Sequence, residues 1–150
     1  MRTGTRFNFF ELKTPADLFR KLESDLAALE SSYQDTWVAF NFFVTAEHIP
    51  DWFDRRDLVG KHAILRVVSH LANGAKHFIL NDNRHQSVTV TEKFRYVEDG
   101  YIESGYFYEP LLVHLSPDEA CEMRATTIDV VLLGRQVVEF WKQYVPAMSQ

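Results

Sequence analysis

The chain has 150 residues, of which 46% are hydrophobic, 14% aromatic and 25% charged, with one cysteine and a net charge of −5. This length points to a single domain, residues 1–150, that buries roughly two-thirds of its unfolded surface. The composition excludes a disordered chain, which is poor in aromatics. It also excludes a disulfide scaffold, and there is no charge-free apolar run of about 18 residues for a membrane span. The acidic balance gives no global attraction to nucleic acid.

The charge is unevenly spread. Residues 51–95 carry 8 basic and 5 acidic groups and four of the six histidines, between two acidic flanks. The opening MRTGTRFNFFELKT has no apolar core of a signal peptide and no lipidation motif, which predicts a cytoplasmic protein without membrane contact. Cys121 stands among Asp118, Glu119 and Glu122, neighbours that disfavour a thiolate.

Thr14-Pro15-Ala16-Asp17 offers an N-cap, a proline at the first helical position and an acid in the first turn. Leu18, Leu22, Leu26 and Leu29 follow at helical spacing, and Ser31-Ser32 ends the first helix. Asp35 caps a second helix, TWVAFNFFVTAEHIPDWF, apolar almost all round and therefore expected to be central and buried, with Pro50 kinking or ending it. A third helix over roughly 61–80 lines Ile64, Val67, Leu71, Ala75 and Phe78 on one face and stops at Asn81-Asp82-Asn83. SVTVTEKFRYV, YIESGYFY and LLVHL read as strands, the first two joined at Asp99-Gly100. Ser116-Pro117-Asp118-Glu119 starts a short helical turn. A last helix over about 126–145 packs Val131, Val138, Trp141 and Val145 inward. The expected architecture is α+β and mainly α: a four-helix bundle with a small antiparallel hairpin or sheet inserted before the last helix.

One polar constellation stands out. Arg66, His70, Asn73, His77 and Asn81 fall within about 80° on the third helix, with Lys76 beside them. A solvated helix face is ordinarily rich in Lys and Glu, which favour helix; this one uses His and Asn. On the second helix Asn41, Thr45 and His48 form another polar line, with Asp51 one turn beyond. Three readings are open. His48 and Asp51 with His77 or His70 would supply metal ligands, although no H-E-x-x-H motif or Cys/His cluster is present. Arg66, Lys76, Asn73 and His77 would suit metal-independent RNA cleavage, holding phosphate and moving protons. The third reading is a non-catalytic helical surface for a partner or a second copy. No phosphate loop, nucleophile elbow or cofactor motif occurs, so no cofactor is expected.

AFNFFVTAEHIPDWF (39–53) and SHLANGAKHF (69–78) together resemble a group of small bacterial proteins with a His…Asp-Trp pattern on one helix and Asn-x-x-Lys-His on the next. Phe140-Trp141 fits the same group. More remotely, the layout is similar to the HEPN superfamily of helical bundles. That resemblance implies a homodimer and, as one activity, a metal-independent RNase of toxin or defence type. Arg66 and Lys76 would then contact phosphate, His77 would act as acid and base, and Asn73, His70 and His48 would position the groups. Arg66 and His70 stand closer together than the Arg and His of the HEPN motif. The reading preferred from the sequence is a non-catalytic homodimeric interaction module, with an RNA- or nucleotide-acting protein and a metal-binding helical protein as alternatives.

Overall fold

The computed structural model describes residues 9–76, 87–93 and 110–145. Helices α1 (Pro15–Ser31), α2 (Thr36–Trp52), α3 (Ala63–Lys76) and α5 (Val130–Lys142) form the bundle, and a short helix α4 (Pro117–Met123) lies between strands. Strands β1 (Val88–Lys93), β2 (Leu111–Leu115) and β3 (Thr127–Asp129) make an antiparallel sheet in that order, all before α5. The fold is thus mainly helical with a small sheet, as the sequence predicts.

Local chemistry sets the helix starts. Thr14 and Asp17 form a reciprocal capping box, and Asp35 accepts the backbone N–H groups of Trp37 and Val38. Asp129 does the same for Val131 and Leu132. Each cap satisfies donors that a helix start leaves unpaired.

Pro50 does not end α2, which runs two residues further. Proline forfeits one hydrogen bond but its ring is buried in the last turn. The stop is a Schellman motif: Asp54 is left-handed (φ 53°), the Arg55 N–H returns to the Pro50 carbonyl at 2.7 Å, and the Asp54 N–H to Asp51 at 3.2 Å. A 3₁₀ segment, Arg56–Lys61, then leads into α3.

The expected last helix begins too early. Thr127–Asp129 pair with β2, Ile128 opposite Val113, so the apolar run splits into an edge strand and a helix capped by Asp129. Its inward face also differs from expectation. Leu133, Gly134, Val137 and Trp141 are buried, whereas Val131, Val138 and Val145 are only half-buried. On α3 the buried set is Ala63, Leu65, Val67, Val68, Ser69 and Ala72, with Ile64 and Leu71 half-buried and Ala75 exposed. Phe78, the Asn81–Asn83 stop, the Asp99-Gly100 turn and YIESGYFY lie outside the described residues.

The core sits where α1, α2, α3 and α5 meet one another and the sheet. Leu22, Leu29, Phe42, Ile49, Phe53, Leu133, Val137 and Trp141 are fully buried, each stabilising by about 1.5–3 kcal/mol. Phe53 meets Trp141 edge to face with ring centres 5.4 Å apart. Polar groups also hold α1 to α2. The Lys21 ammonium donates to Thr45 Oγ1 (2.8 Å) and to the Asp25 carboxylate (2.6 Å), and the buried Thr45 hydroxyl lies 2.5 Å from that carboxylate.

Gly134 sets the closest approach of α5. A Cβ there would lie 3.1 Å from Leu26 Cδ1 and 3.3 Å from Phe42 Cζ. Gly134→Val is therefore expected to destabilise the fold by about 1–3 kcal/mol through overpacking, read as a lower urea midpoint with unchanged slope.

Candidate functional site

Arg66 of α3 is held on three sides. Its Nε donates to Glu119 Oε1 at 2.9 Å, one terminal nitrogen to the Gly60 carbonyl at 2.8 Å, and the other to Glu122 Oε1 at 3.2 Å. Three of five N–H donors are thus spent on the protein. Glu119, on α4, is only 5% exposed. It also accepts the Ser87 hydroxyl at 3.1 Å and the Ser116 hydroxyl. Ser116 starts α4 as expected, but its hydroxyl serves this carboxylate and caps no backbone N–H. Glu122 accepts the Ala63 N–H, an otherwise unpaired donor of the first turn of α3, at 2.5 Å. Burial pushes the Glu119 carboxyl up, and the hydrogen bonds from Ser116, Arg66 and Ser87 outweigh it, leaving it below the ordinary carboxylate value.

A second polar chain joins α3, α2 and the 3₁₀ segment. The Asn73 amide donates to the Ser69 carbonyl one turn back at 2.7 Å. The Ser69 hydroxyl donates to Glu47 at 3.3 Å, and Arg56 bridges Glu47 (2.8 Å) and Asp51 (2.6 and 3.1 Å). Arg66 and Asn73 are therefore half-buried and bonded to the protein in place of standing on a fully solvated face. His70 is half-buried and Lys76 is exposed at the end of α3. His77 and Asn81 lie outside the described residues.

The α2 residues separate. Thr45 is buried against α1, while Asn41, His48 and Asp51 are exposed. His48 was expected on a buried helix, where helices two and three would approach; the structure puts it at the surface. The reason is angular. Ala39, Phe42, Phe43, Ala46, Ile49 and Pro50 cover the inward arc of α2. Trp37, Phe40, Asn41, Val44, His48 and Asp51 all fall within about 100° on the other side. Trp37 is 84% exposed and Phe40 47%. Helix α2 is central, packing against α1, α3 and α5, but it is not buried all round, because one apolar face points outward.

No protein-family model matches the chain, and no curated protein and no solved structure gives a significant match. The site is accordingly judged on its own geometry. Among the described residues no group of three His, Cys, Asp or Glu side chains is placed to hold a metal ion. Asp51, one of the ligands considered, is engaged by Arg56.

Sequence reasoning missed Glu119, Glu122 and Glu47 as partners of the polar stripe, and Trp37 and Phe40 as surface groups. The first three lie 53, 56 and 22 residues from their α3 partners, beyond any local pattern. The aromatics carried a usable signal: an all-round apolar helix in a small domain has more apolar surface than one core takes.

The sign of the pH dependence follows from Glu119. Its folded value lies below its unfolded one, so its contribution is complete above the ordinary carboxylate range and lost as pH falls through the folded value. Arg66→Ala leaves Glu119 buried without its cation and is expected to cost about 3 kcal/mol near neutrality. That difference should shrink as the pH is lowered below the ordinary value of 4.5, where protonation removes the charge. Urea unfolding of both proteins between neutral and acid pH checks it; a pH-independent difference would show that the Arg66–Glu119 pair is not what the variant loses.

Proposed function

We propose that this chain is a cytoplasmic, non-catalytic helical interaction module that works as a homodimer, with the outward stripe of α2 as its seam. The observation that carries the reading is the exposure of Trp37 and Phe40 on adjacent turns of one helix face. Large aromatics are costly to leave in water, and Trp in particular anchors interfaces.

The charge distribution permits a second copy as the partner. Two copies of a chain at −5 repel each other. The stripe from Trp37 through Phe40, Asn41 and Val44 to His48 holds no Lys, Arg, Asp or Glu, and Asp51, one turn further on the same arc, is paired with Arg56, so two copies meet there at low electrostatic cost. A two-fold interface is self-complementary. Antiparallel α2 helices would place Trp37 of one copy near His48 of the other, over the small Asn41 and Val44 pair.

The bundle of α1, α2, α3 and α5 is compatible with a HEPN-like layout, and that relationship is part of this proposal. The RNA-acting reading draws less support. Arg66, the phosphate contact it needs, already bonds Glu119, Glu122 and Gly60, and Asn73 bonds Ser69.

Sedimentation velocity across a concentration series tests the seam. The native chain should sediment as a dimer, and Trp37→Asp should raise the dimer dissociation constant by about 30-fold or more, the equivalent of a 2 kcal/mol anchor. Far-UV circular dichroism should be unchanged, since Trp37 is outside the core. A native chain that stays monomeric at high concentration would sink the reading.

A further inference from the structure

A cavity of about 570 Å³ lies between the first half of α2, the last turns of α3 and the sheet. Its origin is legible in the side chains. The α3 helix reaches the sheet with Gly74 and Ala75, residues too small to fill the space a Leu or Phe would take. The walls are Ala39 and Phe43 from α2, Leu71 from α3, and Val88, Leu111 and Val113 from the sheet. Polar groups are few: the hydroxyls of Thr36, Thr89 and Thr91, and the His70 imidazole.

Size and charge together select an occupant. Cavities of roughly 300–1,000 Å³ with mostly apolar walls and a few polar groups accommodate small molecules. No Asp, Glu, Lys or Arg is among the described lining residues, although charged residues make up 25% of the chain. An ionised ligand would lose its hydration there without a counter-charge, whereas a neutral apolar one gains on leaving water. We propose that this cavity binds a neutral, predominantly apolar small molecule carrying one or two hydrogen-bonding groups for the threonine hydroxyls. Phe40 borders both the cavity and the proposed seam, whereas Trp37 lies outside the cavity, whose floor is α3 and the sheet.

The test is a fluorescence titration of the full chain with N-phenyl-1-naphthylamine, a neutral apolar dye. Saturable binding of one dye per chain is expected. Ala75→Trp and Thr91→Trp each place a large ring into the cavity from opposite walls, at positions exposed in the native fold. Each should weaken binding by about tenfold or more with unchanged circular dichroism, and either variant decides the matter if the other fails to fold. Trp37→Ser should bind as the native chain does. Three outcomes would overturn the proposal. The native chain could show no saturable binding, as when its own residues fill the space. Binding could be undiminished in a folded cavity variant. Or binding could be lost in Trp37→Ser, which would put the dye on the outward face of α2.

Discussion

The buried carboxylate of Glu119 is the constraint around which the sheet side of this protein is arranged. A charge taken out of water is tolerated only when it is paired and hydrogen-bonded. Here the partners come from separate parts of the chain: Arg66 from α3, Ser87 from the approach to β1, and Ser116 from the start of α4. Meeting that one demand fixes where the sheet sits against the bundle. Glu122, one turn along α4, then meets the open N-terminal end of α3. The same demand decides what Arg66 can do. With three of its five N–H donors spent on Glu119, Glu122 and Gly60, the Arg66 guanidinium is part of the frame.

Helix α2 shows the converse case. Its inward arc supplies Phe42, Ile49 and neighbouring apolar groups to the core, and its outward arc keeps Trp37, Phe40 and Val44. Two apolar faces on one helix flatten the amphipathic signal that ordinarily tells inside from outside. Burial therefore had to be settled by neighbours: α1, α3 and α5 cover one side, and among the described residues the other side stays largely open.

What could be read from the sequence was what is decided within a few residues. Thr14 with Asp17, Asp35 before Trp37, and Pro117 after Ser116 mark helix starts because their side chains or ring act on the adjacent backbone. The spacing of Leu18, Leu22 and Leu29 gave the inner face of α1 for the same reason. The stripe on α3 was recognisable as unusual, but its meaning lay in acids more than 50 residues away. Strand β3 was hidden because Ile128 continues an apolar run, and only pairing with Val113 makes it a strand. Pro50 misled because a proline signals a break, whereas the left-handed Asp54 four residues later makes it.

The three tryptophans occupy three different surroundings. Trp37 stands in solvent, Trp52 is half-buried at the end of α2, and Trp141 is sealed in the core, its indole N–H without a hydrogen-bond acceptor among the described residues. Their light emission is correspondingly divided. In a single copy of the chain a dissolved quencher reaches Trp37 freely and Trp141 only when the bundle opens, so shielding of Trp37 marks association and shielding of Trp141 marks the folded interior.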